Sequence, residues 1–290
     1  MGLFYSKDAT SDPSPFCDEW RRVNWNDKTT DLRIFRSHRP PANCQHVRIL
    51  LHGQLGAGKS SFINSVYTAL QGRLCSLAPV GNNFQGSVTK QYKTYRIEKD
   101  GNSFYPFVIN DMTGMPNGSK RNQITYLKDI KLTIKGRMKE GYTFHPEVSL
   151  QKGDPYYNDR PTADDKVHVL VTVFDANTVS LLPSDNVFTI HQIREYALDL
   201  EIPHMVILTK IDEACPELKD LKNVYKSTKL KEMIENVSRE FGIPVSSIFP
   251  VKNYHNEVGT NDDVDILILQ ALNRIIETGY DYLNKCQLEA

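Results

Sequence analysis

The sequence predicts an α/β fold: a three-layer domain with a mostly parallel sheet and helices on both faces. Short apolar runs typical of buried strands alternate with helical patterns, and a glycine-rich turn joins the first run to a helix. The composition, 40% hydrophobic and 24% charged over 290 residues, is that of a chain that can fill a sizeable core. Disorder throughout and a fibrous repeat are therefore excluded.

Residues 1–45 are predicted as an N-terminal arm, which is polar and proline-rich and contains both tryptophans. Because two large aromatic side chains are costly to leave in water, we expect a short helical arm that packs on the main domain. The main domain is predicted over residues 46–290. It includes a surface insertion at about residues 137–166, rich in glycine, proline and tyrosine.

The elements of the main domain follow in order. A strand buried on both faces is predicted at residues 47–51, and apolar residues at helical spacing follow it until Gly72. A hairpin is predicted from residues 87–99 and 103–111, with Asp100-Gly101 in its turn. Further strands are predicted at residues 167–174, 205–208 and 248–251, and helices at about 184–200, between Ser227 and Gly242, and at about 263–284.

A phosphate-binding loop is predicted between the first strand and its helix. Residues 53–60, Gly-Gln-Leu-Gly-Ala-Gly-Lys-Ser, match the pattern GxxxxGK[ST]. Its glycines let backbone N–H groups converge on an anion, and the following helix directs its positive end at the same point. Lys59 would place its charge on the β- and γ-phosphates. The predicted phosphate ligands in this loop are Gly53, Gly56, Ala57, Gly58, Lys59, Ser60 and Ser61.

A Mg²⁺ site is predicted beside this loop, because Mg²⁺ prefers oxygen ligands and Ser60 offers a hydroxyl. Asp111 directly follows a buried strand and can reach the outer shell of the metal. Gly114, in the same Asp-Met-Thr-Gly segment, can direct its N–H at a γ-phosphate. In the 80–89 segment, expected to act as the first switch loop, Thr89 is the favoured metal ligand and Ser87 the alternative.

Guanine recognition is predicted from Thr209-Lys210-Ile211-Asp212, which follows a later strand. Asp212 would accept hydrogen bonds from guanine N1 and N2, a donor pair that adenine lacks, and the Lys210 stem would lie over the purine. Thr209 replaces the Asn of the usual NKxD pattern as a loop brace. Lys252 follows the next strand, where a backbone N–H normally meets guanine O6. Ligands of such sheets bind beyond the carboxyl ends of the strands, so these segments would converge as in a P-loop GTPase-like domain that holds GTP or GDP with Mg²⁺.

The segments RILLHGQLGAGKSSFINSV, LTKIDEACPELK and FPVKNYHNE, with EWRRVNW in the arm, resemble the interferon-induced protein 44-like family. The resemblance covers about residues 16–285. It implies GTP binding by the motifs above, a cytoplasmic location and an interferon-induced antiviral role. Some members carry an additional N-terminal TLDc-type domain, for which we expect this chain to be too short.

The sequence does not decide whether the nucleotide is hydrolysed. Ras-like enzymes place a Gln after DxxG to orient the attacking water, and this sequence has Met115 there. Leu55 would in addition crowd an incoming arginine finger. One hypothesis is a slow GTPase or switch, activated by self-association. The alternatives are a nucleotide-binding scaffold without hydrolysis and, disfavoured by Asp212, an ATP-binding P-loop protein.

Charge and cysteine content limit the partners and the compartment. Lys plus Arg and Asp plus Glu each number 35, so no nucleic-acid partner is expected, since general binders need a basic excess. The five cysteines include no CxxC pair, which favours free thiols over disulfides or zinc. We expect no membrane span and no signal peptide, hence a cytoplasmic protein. Residues 1–6 fit the M-G-x-x-x-[ST] pattern for N-myristoylation, and a myristoyl group on Gly2 would be the route to a membrane. The sequence does not decide whether the chain forms a homo-oligomer or binds a protein partner.

Overall fold

A computed structural model of the chain describes residues 14–37, 39–40, 44–81, 90–99, 101, 103–117 and 119–289. Its centre is a six-stranded sheet in the order β2-β3-β1-β4-β5-β6. The predicted α/β class is confirmed. The strands are β1 Val47–His52, β2 Lys93–Glu98, β3 Phe104–Asp111, β4 Val169–Asp175, β5 His204–Thr209 and β6 Ile248–Pro250.

All neighbouring strands pair in parallel except β2, which runs antiparallel to β3 at one edge. The central strands β1, β4 and β5 are almost entirely buried, as their near-continuous apolar sequences predict. Their carboxyl ends lie in register: Leu51 is opposite Asp111 of β3, and Asp175 is opposite Thr209 of β5. The chain segments that follow these strands therefore emerge at one edge of the sheet.

Helices cover both faces of the sheet. In chain order they are α1 Lys28–Ser37, α2 Lys59–Gln71, α3 Lys120–Ile134, α4 Ser184–Asp199, α5 Ile211–Ala214, α6 Thr228–Phe241 and α7 Asp262–Leu288. Gly279 of α7 is so close to β1 and β4 that an added Cβ would lie 2.5 Å from Val47 Cγ1 and 3.0 Å from Val169 Cγ2. Phe174 stacks on Phe241 of α6, with 4.9 Å between ring centroids. Because side chains alternate along β4, Val169 and Phe174 face opposite sides, and so do α7 and α6.

The predicted ends of two helices are confirmed by their caps. Gly72 ends α2 in the left-handed conformation, with φ 66°, and its N–H donates to the carbonyl of Thr68. The Ser227 side chain accepts from Leu230 N at the start of α6, and Gly242 ends that helix at φ 63°. Helix ends of this kind can be predicted from the sequence, because a cap depends on residues within one turn.

The helix of the N-terminal arm begins later than the tryptophans suggested. It spans Lys28–Ser37 and begins after Asp27, whose side chain accepts from Thr30 N at 2.9 Å. The segment containing Trp20 and Trp25 is irregular, because its backbone bonds to another part of the chain instead of to itself: Trp20 N donates to Tyr225 O at 3.0 Å. Both indoles are half-buried against the core.

The hairpin is confirmed, but its first strand begins at Lys93 instead of residue 87. Residues 82–89 and Asp100 lie outside the described residues. The segment at residues 137–166 has irregular backbone with a single 3-10 turn at Ala163–Asp165, and it contributes buried side chains from Met138, Tyr142 and Leu150 to the core. Within the described ranges, the helices are all too short or too polar to cross a bilayer.

Candidate nucleotide-binding site

The turn between β1 and α2 is shaped by its glycines. At Gly53 φ is 143°, and a Cβ there would lie 2.2 Å from the carbonyl oxygen of Val173, so no side chain fits against β4. Gly58 precedes α2 with φ 89°. An added Cβ at Gly58 would lie 3.0 Å from Asn253 Nδ2 and 3.2 Å from Thr209 Oγ1. The loop is thus pressed between β4 and two later segments of the chain.

Lys59, the first residue of α2, is folded back over this loop. Its Nζ donates to the carbonyls of Gly53 at 3.1 Å and Gln54 at 2.9 Å. Burial lowers the pKa of Lys59, while the nearby Asp111 carboxylate opposes that shift. The ammonium group is therefore held at the inner wall of the loop, where an anion in the turn would meet it.

Ser60 and Asp111 meet beside Lys59. Ser60 Oγ donates to Asp111 Oδ2 at 2.9 Å, and Asp111, the last residue of β3, is fully buried. A hydroxyl and a carboxylate, both hard oxygen donors, are the groups that Mg²⁺ selects, so this pair fits the ion. The third predicted ligand, Thr89, and its alternative Ser87 lie outside the described residues.

The segment after β3 packs against the phosphate loop. A Cβ on Gly114 would lie 2.7 Å from Leu55 Cα, and Met115 N donates to Gly53 O at 2.9 Å. The Met115 side chain is fully buried, whereas Leu55 is 47% exposed at the mouth of the site. The Met115 side chain therefore points into the core.

Thr209 braces the loop from behind, which is the role expected for it. Its buried hydroxyl lies 2.7 Å from Ala57 O and 3.1 Å from Phe174 O. Ala57 is itself buried. Thr209 is thus directed at the backbone of the phosphate loop.

The next residues of that segment turn toward the ligand side. Lys210 has a left-handed backbone, φ 57°, and its Nζ lies 2.6 Å from Asp175 Oδ2. Lys252 Nζ stands between Asp212 Oδ2, at 3.8 Å, and Glu257 Oε1, at 2.9 Å. Desolvation raises the pKa of Glu257, but the His255 amide and Lys252 outweigh it and lower the pKa to about 2. Lys252 is thereby fixed behind Asp212 as its positive neighbour.

A cavity of about 410 Å³ joins the phosphate loop to Asp212. Of the predicted residues, those lining it are Gly56, Gly58, Lys59, Ser60, Ser61, Gly114, Lys210 and Asp212. The other predicted residues that the structure describes do not line it: Gly53, Ala57, Asp111, Thr209 and Lys252. The geometry thus brings both halves of the predicted site to one cavity at the carboxyl edge of the sheet.

Asp175 and Asn253 were not predicted as site residues. Asp175 is the last residue of β4, at the same sheet edge. Its position at the end of a predicted strand is the sequence feature that could have identified it. Asn253 lines the cavity and donates from Nδ2 to Gly58 O at 3.3 Å, which fixes its amide orientation. Its Oδ1 is buried and has no hydrogen-bond partner in the described part of the chain. This unpaired oxygen is therefore enclosed by the protein beside the cavity.

A pair of histidines lies beneath the loop. Thr172 Oγ1 is 2.6 Å from Nε2 of both His52 and His204, and all three residues are buried. Burial lowers the pKa of His204 to about 3 and that of His52 well below its usual value. Both rings are therefore neutral at physiological pH, as expected for ordinary hydrogen-bonded core histidines.

Comparison with known sequences gives several relatives. The chain is 32% identical over 262 residues to "Interferon-induced protein 44" of Pan troglodytes and 32% over 265 residues to that of Homo sapiens, in each case covering 89% of this chain and 58% of the relative. It is 31% identical over 262 residues to human "Interferon-induced protein 44-like", covering 89% of this chain and 57% of that protein. The chain thus spans little more than half the length of these relatives. No protein-family model matches it.

Comparison with solved structures supports the fold alone. Toc33 from Arabidopsis thaliana, in its complex with Mg²⁺ and GMPPNP, superposes with a TM-score of 0.53 at 14% identity, covering 89% of this chain and 94% of that one. At such low identity the likeness concerns the arrangement of strands and helices. It supports the α/β fold described above.

Proposed function

We propose, from the premise that this chain is a homologue of the interferon-induced protein 44 family over 89% of its length, that it binds a guanine nucleotide, GTP or GDP, together with Mg²⁺. The observation that carries the proposal is the cavity that joins Lys59 and Ser60 to Asp212. A phosphate loop alone specifies a nucleotide of any base. A carboxylate at the other end of the same cavity adds the element that selects the base.

The phosphate half of the cavity suits a triphosphate. The helix N-terminus, the loop amides around Gly56 and Gly58 and the Lys59 ammonium supply positive potential at one place. Ser60 and Asp111 would hold Mg²⁺, directly and through its outer shell, and the ion would supply further charge neutralisation when bound. Gly114 packs against the loop at Leu55, so its N–H would be near the end of a bound phosphate chain.

The other half suits guanine. The Asp212 carboxylate would accept from N1–H and N2–H₂ of guanine, whereas adenine presents an acceptor at N1 and no amino group at C2. A site built for that donor pair leaves its carboxylate unpaired on adenine, which costs affinity. Asp175 would hold Lys210 by its ammonium while the lysine stem lies over the purine.

Titration calorimetry with GTP, GDP and ATP in Mg²⁺ tests this proposal. We expect GTP and GDP to bind and ATP to bind at least about tenfold more weakly, a difference of about 1.4 kcal/mol. Asp212→Asn should weaken GTP and strengthen xanthosine triphosphate, because an amide complements the xanthine edge. Glu213→Gln, which alters a neighbouring carboxylate of the same cavity, is the matched control. Equal binding of GTP and ATP would refute the guanine assignment.

Slow GTP hydrolysis is the second part of the proposal. Water would attack the γ-phosphorus, the bond to the β–γ bridging oxygen would break, and GDP and phosphate would leave. The side chain at position 115 is buried, so the usual water-orienting position is not available for that role. Loss of one positioned polar group costs roughly 10²–10³ in rate. Self-association that supplies a group from a second copy would raise the rate.

Multiple-turnover phosphate release, measured against a Lys59→Ala variant, decides between a slow GTPase and a nucleotide-binding scaffold. We expect wild type to release phosphate faster than that variant, and the rate per protein molecule to rise with protein concentration. Release equal to it would favour the scaffold, in which the nucleotide is a structural ligand or switch. We extend to this chain, as part of the same proposal, the interferon-induced antiviral context of the family and a cytoplasmic location.

A further inference from the structure

The N-terminal arm contacts the outer edge of the sheet at β6. Arg21 donates to the carbonyls of Ile248, at 2.8 Å, and Val245, at 2.6 Å. Its guanidinium lies 5.1 Å from the ring centroid of Tyr225 and 5.2 Å from that of Phe249. These contacts combine the hydrogen-bonding fork of arginine with cation–π attraction. Arg21 thus binds the edge strand β6 just before the chain enters residues 251–254, which lie beside the cavity.

Backbone bonds hold Arg21 in this place. Cys17 N donates to Lys226 O at 2.8 Å, and Trp20 N donates to Tyr225 O at 3.0 Å. The Trp20 ring meets the Tyr225 ring edge-on, with 4.9 Å between centroids. The segment just before Arg21 is therefore fixed against residues 225 and 226.

A second connection runs from the arm through α7. Lys28 Nζ lies 2.5 Å from Asp265 Oδ2, and Asp265 is fully buried. The other oxygen of the same carboxylate, Oδ1, accepts from the Tyr254 hydroxyl at 2.8 Å. Tyr254 N in turn donates to Ser65 Oγ of α2 at 3.0 Å. The arm is thus linked by side chains to the residue that follows Asn253.

We term residues 251–254 the base loop. The second connection ends on this loop at Tyr254, and the first ends just before it, at Ile248 and Phe249. The base loop contains Lys252, the cation beside Asp212, and Asn253, which bonds to Gly58 O. The phosphate loop has other supports, because Thr209 and the glycine contacts with β4 hold it independently of the arm. A shift of the base loop would therefore disturb the base end of the cavity more than its phosphate end.

We propose that Arg21 and Lys28 are positioning residues for the base loop, so that the N-terminal arm sets the selectivity of the site for guanine. The inference rests on the proposed guanine-binding function. It goes further by making base recognition depend on residues that touch no part of the cavity. Weaker attachment of the arm should lower GTP affinity, while ATP affinity, which depends on the phosphate end, should stay within about twofold.

The test uses Arg21→Met and Tyr254→Phe in the full chain. Tyr254→Phe removes the hydroxyl that bonds to Asp265 and to the backbone of Asn261, but it leaves the buried carboxylate paired with Lys28. Thermal unfolding of the variant checks that it is folded. The matched controls are Arg22→Met, an exposed neighbour, and Tyr282→Phe, whose hydroxyl bonds to Leu200 O at the far end of α7. Each variant is measured for GTP and ATP affinity by calorimetry and for amide hydrogen exchange of residues 248–254 without nucleotide.

We expect faster exchange in the base loop and a GTP-to-ATP preference reduced about fivefold or more in both variants, with neither change in the controls. An equal loss of GTP and ATP affinity would overturn the proposal, since it would indicate general destabilisation. So would unchanged exchange and preference. If the wild-type chain itself binds GTP and ATP equally, the guanine assignment fails, and the exchange rates alone decide whether the arm orders the loop.

Discussion

Replacing Thr209 with valine removes the hydroxyl that joins the segment proposed to recognise guanine to the predicted phosphate loop. The two side chains have nearly the same shape, and Thr209 is fully buried in the structure, so the change makes no cavity. The variant lacks the 2.7 Å hydrogen bond to Ala57 O and the weaker contact with Phe174 O. The experiment therefore measures the contribution of the Thr209 hydroxyl alone.

The expected cost follows from burial. A buried polar group that loses its partner costs about 1–3 kcal/mol, more than the net value of an exposed hydrogen bond. For a domain of this size that corresponds to a fall in Tm of about 2–5 °C. Because a loosened loop must be ordered when phosphate binds, GTP affinity should also fall, by up to about tenfold.

Thermal unfolding and calorimetry with GTP measure both effects. Thr278→Val is the matched control, since its hydroxyl also bonds to a backbone carbonyl, Arg274 O at 2.7 Å, but on the surface of α7. That control should cost less than about 0.5 kcal/mol. If Thr209→Val were as stable as the control and bound GTP as wild type does, the brace would have no energetic role.

Further predictions concern the core beneath the site. Met115→Gln should destabilise the protein by about 1–3 kcal/mol, since it buries an amide, and should leave phosphate release unchanged; faster release would show that position 115 reaches the nucleotide. Gly114→Ala should weaken GTP binding in calorimetry, because the new Cβ would lie 2.7 Å from Leu55 Cα, and unaltered affinity would disprove this close packing. The stability that His204 contributes, measured as the difference in urea-unfolding midpoint between wild type and His204→Gln, should fall as pH drops from about 6.5 toward 3. The reason is that burial lowers the pKa of His204 to about 3, so the unfolded chain takes up that proton first. An identical pH profile for variant and wild type would contradict the assignment.

The pH experiment relies on the difference between the two proteins, because Asp129 acts with the opposite sign. Burial raises the pKa of its carboxyl to about 7, although the Leu150 amide opposes the shift. The folded state therefore binds that proton more strongly than the unfolded state, and stability from Asp129 grows as pH falls below about 7. Subtracting the His204→Gln profile removes this shared contribution.

Elements defined by neighbouring residues were correctly predicted from the sequence. The glycine-rich turn, the helix ends at Gly72 and Gly242 and the cap at Ser227 depend on conformations that short spacing reveals. The N-terminal arm shows the limit. Its tryptophans indicated packing, but the helix lies later, at Lys28–Ser37, because the tryptophan segment bonds to residues near Tyr225. Nothing within the arm itself specifies that partner.

The α/β class, the order of the motifs along the chain and the glycine-rich turn could be predicted from the residues alone, since each rests on periodicity or on residue types at fixed short spacing. Which side chains meet depends on how the folded chain packs. Thr209 reaches Ala57 across 152 positions of sequence, Met115 turns into the core, and Asp175 holds Lys210. Such contacts form when parallel strands bring their carboxyl ends to one edge and the core becomes close-packed. The spacing of neighbouring residues contains no information on either condition.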